Sequence, residues 1–176
     1  MELRKPIALV GLPGAGKSTL GKLLSKKLNT TFIDTDAVIE SKIGTSIREY
    51  FALHGEDVFR AIEADVLAQL VANPVASILA TGGGIVLRDA NRLVLKKHTT
   101  AVYLRSTATD LYARLKHDTV RPLLQVDDPH ARLQELFVQR DPLYREVATF
   151  TVDTARTTVS ALVNKIVMQL ELAPQC

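Results

Sequence analysis

Hydrophobic positions along this chain change period several times, and the changes mark out its elements. Residues 7–10, Ile-Ala-Leu-Val, form a short, wholly apolar run of the buried parallel-strand kind. After a glycine-rich turn, Leu20, Leu23, Leu24 and Leu28 recur at helical spacing. A second short strand is expected at 31–34, ending in Asp34, and a helix from about 37 that fades at Gly44. Ser46, with Glu49 three residues on, has the form of a capping box. It opens a helical stretch to about 72 that Gly55 can break, with Ile47, Phe51, Val58, Ile62, Val66 and Leu70 expected on one apolar side. Asn73-Pro74 stops it.

Residues 75–80 read as a third strand running into Thr81-Gly82-Gly83-Gly84. A helix over 88–97, a fourth strand over 100–104 and a helix over 108–115 follow. Between about 116 and 130 the period dissolves, and an aperiodic stretch of that length points to a lid. Helix returns over 131–147, where Pro142 is expected to kink or split it. A fifth strand at 148–153 and a closing helix at 159–170 complete the chain. Five strands alternating with helices imply an α/β fold, a doubly wound five-stranded parallel sheet flanked by helices. Ligands in such sheets lie beyond the carboxyl ends of the strands. The turn at 11–18, Asp34, the triple glycine and Asp153 all fall there.

Composition narrows the class. At 176 residues and 47% hydrophobic, the chain is expected to be one globular domain, 1–176. The net charge of +3 is modest and its basic residues are dispersed, which suits local anion binding rather than a nucleic-acid partner. The aromatic residues are likewise too scattered for base stacking. His54, His98, His117 and His130 have no metal-ligand spacing and are expected at the surface. The one cysteine, Cys176, has no internal partner, as suits a reducing compartment. No apolar run approaches membrane-spanning length, and the first strand begins too early to leave room for a cleavable signal. A cytoplasmic monomer without membrane contact is the expectation.

The chemistry begins at Gly11-Leu12-Pro13-Gly14-Ala15-Gly16-Lys17-Ser18, which has the spacing of the phosphate-binding P-loop. Its glycines permit positive φ and close approach to an anion. Backbone N–H groups from Gly14 to Thr19 and the following helix N-terminus can then cradle phosphates. Lys17 supplies a mobile positive charge, and Ser18 can ligate Mg²⁺. The strand before and the helix after the motif support binding of a nucleoside triphosphate. Asp34, ending the second strand, is the candidate second Mg²⁺ partner, because the third strand ends in Ala-Thr-Gly. Asp36 can accept a substrate hydroxyl proton or simply cap a helix.

Gly82 and Gly83 can offer backbone N–H groups to an oxygen-rich substrate, or form a plain turn. Arg60 can bind a carboxylate or pair with Glu56 and Glu63 along its helix. Arg140 and Arg145 face the same choice against the helix C-terminal dipole. Arg121, in the aperiodic stretch, is a candidate lid arginine for the transferring phosphoryl group. Arg114 and Arg156 are candidates to lie along a nucleotide base. No N-K-x-D motif is present, since Asn164-Lys165 continues with Ile166-Val167, and a small-molecule kinase remains.

Together these segments resemble one family, the shikimate kinases. The likeness runs from residue 7 to about 153. It rests on Gly-Leu-Pro-Gly-Ala-Gly-Lys-Ser-Thr at 11–19, Phe-Ile-Asp-Thr-Asp at 32–36, and Gly55-Glu56 before Phe59-Arg60. Thr-Gly-Gly-Gly at 81–84, Arg-Pro-Leu-Leu at 121–124 and Arg140-Asp141-Pro142-Leu143-Tyr144 complete it. The resemblance implies a P-loop nucleoside-triphosphate kinase fold with a lid, and transfer of the ATP γ-phosphoryl group to the 3-hydroxyl of shikimate. By that resemblance Asp36 binds the substrate hydroxyls and acts as base, and Arg60 and Arg140 hold the carboxylate beside Gly82 and Gly83. Ser18 and, through water, Asp34 would hold Mg²⁺. Lys17 and Arg121 would stabilise the phosphoryl group, with Arg114 and Arg156 along the adenine. A gluconate-type sugar-acid kinase would use similar parts. A non-catalytic ATP-binding module would keep the P-loop but dispense with Asp36 or Arg121.

Overall fold

The computed structural model describes residues 3–73, 75–116 and 126–172. Strands β1 (Ile7–Val10), β2 (Thr31–Asp34), β3 (Ser77–Ala80), β4 (Thr100–Arg105) and β5 (Phe150–Asp153) form one sheet in the order β2-β3-β1-β4-β5. Every pairing is parallel. The helices are α1 (Lys17–Leu28), α2 (Thr35–Ile43), α3 (Ile47–His54), α4 (Glu56–Val71), α5 (Asp89–His98), α6 (Ala108–Leu115), α7 (Pro129–Val147) and α8 (Val159–Leu172).

β1 is central because it is apolar on both faces. Ile7, Ala8, Leu9 and Val10 are all buried, with Leu9 opposite Ala80 of β3 and Val102 of β4. α1 packs with α8, while α5 packs with α4 and α7. Covering helices let the inner strands be apolar throughout, which explains their unbroken runs of hydrophobic residues. A second, smaller cluster joins Ile39 of α2 to Phe59 and Val66 of α4. No helix among the described residues is long and apolar enough to cross a membrane.

Three details depart from the sequence reading. The break at Gly55 is real, with φ 83° and ψ 174°, a conformation that L side chains rarely adopt. It resets the helical phase, so the apolar side expected across it is not continuous. Phe51 and Val58 are 36% and 45% exposed, whereas Phe59 is buried at 5%. Pro142 does not split α7, which runs unbroken through it under an N-cap from Asp128. Finally, α2 starts at Thr35, two residues early, because Asp34 rather than Asp36 caps it. Most of the expected lid, including Arg121, lies outside the described residues.

Candidate active site

Three strand ends and residues of α1, α2 and α6 build a cleft of about 540 Å³. Its floor is the P-loop, where Gly14 and Gly16 have positive φ and Gly16 serves as N-cap of α1. Gly14, Gly16, Lys17, Ser18 and Thr19 line the cleft, and Ala15 is buried beneath it. The Lys17 ammonium donates to Gly11 O at 2.7 Å and Leu12 O at 2.9 Å, so it lies across the loop it serves.

Asp34 is held from three sides. Its Oδ1 accepts from the N–H groups of Asp36 at 3.0 Å and Ala37 at 3.4 Å, capping α2. Its Oδ2 accepts from Ser18 Oγ at 3.0 Å. A hydroxyl and a carboxylate paired at the end of the phosphate loop make an oxygen donor set suited to a hard divalent cation. Thr81, the residue after β3, instead turns its hydroxyl back to Leu9 O at 2.9 Å, a buried bond.

The opposite wall is the triple glycine, and each glycine is covered by a different charged side chain. A Cβ on Gly82 would stand 2.9 Å from Asp36 Oδ1 and 3.3 Å from Glu63 Oε2. One on Gly83 would meet Pro13 at 2.8 Å and Arg140 Nη1 at 3.4 Å. One on Gly84 would fall on the Arg60 guanidinium. Only bare backbone lets two carboxylates and two guanidinium groups converge on so short a segment.

Electrostatics at this wall follow from burial. Loss of water raises the Asp36 carboxyl above its ordinary value, and the neighbouring Asp34 charge raises it further against the pull of Lys17 and Arg60. Glu63 is only 2% exposed, and desolvation raises it too, although Arg60 Nη1 pairs with its Oε1 at 2.9 Å. Arg60 also reaches Glu56 at 3.4 Å, so the ladder seen in sequence exists. Its buried half lies against Gly82 and Gly84. Arg140 brings Nη1 to Gly83, and its buried Nε has no hydrogen-bond partner among the described residues. Arg145 instead pairs with Asp141 at 2.8 Å on the far side of the helix turn.

Arg114 donates to Thr154 O and Oγ1, both at 3.2 Å, which brings it to the end of β5, two residues before the exposed Arg156. Those two arginines therefore share one rim, away from the glycine wall. Sequence reasoning missed Glu63, Gly84 and Tyr144. Glu63 lies among Ile62, Val66 and Leu67, an apolar setting that could have marked it as buried. Tyr144 follows Arg140 by one helical turn, a spacing that could have suggested contact.

A family model described as shikimate kinase matches residues 13–171. A curated relative from Paracidovorax citrulli, named shikimate kinase, is 50% identical over 169 residues, covering 95% of this chain and 92% of that protein. The fold is similar to a shikimate kinase from Acinetobacter baumannii in complex with shikimate, with TM-score 0.92 and 39% identity over 99% of this chain and 97% of that one. A gluconokinase from Sinorhizobium meliloti shares the fold alone, at TM-score 0.63 and 18% identity over 98% of each chain.

Proposed function

The chain belongs to the shikimate kinase family, and on that premise we propose that it transfers the γ-phosphoryl group of ATP to the 3-hydroxyl of shikimate. The products are shikimate 3-phosphate, an intermediate of aromatic amino-acid biosynthesis, and ADP. The observation that carries the reading is the glycine wall, where Asp36, Arg140 and Arg60 cover Gly82, Gly83 and Gly84 in turn. A substrate with one carboxylate and several hydroxyls is complementary to that set.

Bound to the triphosphate, Mg²⁺ would neutralise developing charge on the phosphoryl oxygens, and Ser18 and Asp34 are the residues that would hold it. Gly14 to Thr19 would cradle the phosphates, with Lys17 swinging from the loop carbonyls to the β- and γ-oxygens. Arg60 and Arg140 would orient the acid through its carboxylate, assisted by the amides of the glycine wall. The substrate hydroxyl oxygen then forms a bond to the γ-phosphorus as the bond to the ADP oxygen breaks. Asp36 receives the hydroxyl proton, a role its raised pKa favours by bringing it nearer the hydroxyl's own. Arg121 would cover the phosphoryl group from the lid, and Arg114 and Arg156 would flank the adenine. Most of the catalysis is positioning and charge compensation, as phosphoryl transfer requires.

Incubation with ATP, Mg²⁺ and shikimate, followed by ³¹P–¹H correlation NMR, tests the regiochemistry. Phosphorus coupled to the proton on carbon 3 is expected, and coupling at another carbon would overturn the assignment.

A further inference from the structure

The back of the glycine wall is as specifically built as its front. All six carbonyls from Gly82 to Leu87 accept a hydrogen bond. Two are met within the turn, Gly82 O by the N–H of Ile85 and Gly84 O by the N–H of Leu87, each at 3.1 Å. The other four are met by side chains from elsewhere. Tyr144 Oη donates to Gly83 O at 2.6 Å, and Asn91 Nδ2, buried in α5, donates to Ile85 O at 3.0 Å. Arg92 Nη1 donates to Val86 O at 2.8 Å and Leu87 O at 3.4 Å, while its Nε pairs with Glu146 of α7 at 2.9 Å. Two helices therefore grip one short segment.

A planar trans peptide points its carbonyl and the next residue's N–H in opposite directions. Fixing a carbonyl from behind thus fixes an amide in front. Among the three glycine carbonyls, that of Gly83 is the one held by a side chain, and Tyr144 is fully buried. The Arg140 guanidinium, one helical turn back in α7, reaches the same glycine, with Nη1 3.4 Å from where a Gly83 Cβ would stand. The tyrosine hydroxyl and the guanidinium therefore converge on one glycine.

We propose that Tyr144, backed by Asn91 and Arg92, is a positioning residue for the acid subsite, orienting the Gly83–Gly84 amide and the Arg140 guanidinium together. This rests on the substrate reading above. A tyrosine that served only core stability would lower the melting temperature without distinguishing between the two substrates.

The test compares Tyr144→Phe with Thr99→Val in steady-state kinetics and thermal melting. Thr99 is also buried and donates to Leu95 O at 2.6 Å, but at the amino end of β4, away from the cleft. Both variants are expected to melt earlier. Only Tyr144→Phe is expected to raise KM for shikimate, by about tenfold, with KM for ATP within about twofold of wild type. An unchanged KM for shikimate, or equal rises for both substrates, would overturn the proposal. Should wild type not turn over shikimate at all, the substrate reading fails and NMR decides the inference. Tyr144→Phe must then displace the amide resonances of Gly83 and Gly84 and the Nε resonance of Arg140 more than Thr99→Val does. Unmoved resonances would overturn it. If Tyr144→Phe does not fold, Arg92→Lys must show the same KM split in smaller degree, and its absence would count against the clamp.

Discussion

Asp36 and Glu63 share the space beside Gly82, yet the structure gives them different partners. Asp36 is flanked by Asp34 and Lys17 at the P-loop side, whereas Glu63 is bound to Arg60, which lies against Gly84. Asp36→Asn keeps the shape and the cleft but cannot take a proton. It should bind a non-hydrolysable ATP analogue within about twofold of wild type while kcat falls by roughly 10²- to 10⁴-fold. Near-wild-type turnover would remove Asp36 as the base.

Glu63 makes a pH prediction with a definite sign. Its folded-state pKa lies above the ordinary 4.5, so the folded protein binds the proton more tightly than the unfolded chain. The charged form therefore costs stability as pH rises through that window, and the cost is absent below the unfolded value. Urea unfolding across pH should show Glu63→Gln gaining on wild type as pH rises above about 4.5, then levelling off. A gain in the opposite direction would mean that the Arg60 pair, not burial, dominates.

Among the elements, the triple glycine is the most exacting. Gly84 has φ −88° and ψ 3°, comfortable for any residue, so the backbone does not require glycine there. Arg60 does, because its guanidinium occupies the place of the missing side chain. Gly84→Ala should displace Arg60 and raise KM for the acid by about tenfold, leaving KM for ATP near wild type. An unchanged KM for the acid would show that Arg60 does not bind it.

Much at this scale was legible in the sequence, for identifiable reasons. The P-loop and the five short strands declare themselves through local patterns, glycine spacing and unbroken apolar runs. The bond from Tyr144 to Gly83 does not, because it joins residues far apart in the chain. The phase error at Val58 arose because periodicity was carried across a residue with positive φ. Asp34 is the candidate metal partner and also caps α2, and no local signal in the sequence separates it from Asp36 as the cap. Burial decided the remaining case, since Glu63 looks like a solvated helix charge until α4 is packed on the sheet.

At the scale of the whole molecule, the strand order converts distant sequence into one site. β3 lies between β2 and β1, so the glycine wall stands between Asp34 and the P-loop although it is about fifty residues from the one and more than sixty from the other. The cleft is assembled by the fold, and a ligand that bridges its walls must stabilise the fold. A non-hydrolysable ATP analogue with Mg²⁺ at 100 times its Kd should add about 2.7 kcal/mol, raising Tm by roughly 5–10 °C for a chain of this size. Lys17→Met should lose most of that shift. An equal shift in the variant would place the nucleotide elsewhere.

The central claim is that this cleft joins ATP to a hydroxylated acid, and its most direct test is Mg²⁺-dependent ADP release from purified protein and ATP. Shikimate, gluconate and no acceptor form the three arms. The account predicts rapid release with shikimate and only background release in the other two. Release with gluconate but not shikimate would contradict the substrate assignment while keeping the phosphate site, and no release with either acid despite ATP binding would contradict catalysis itself.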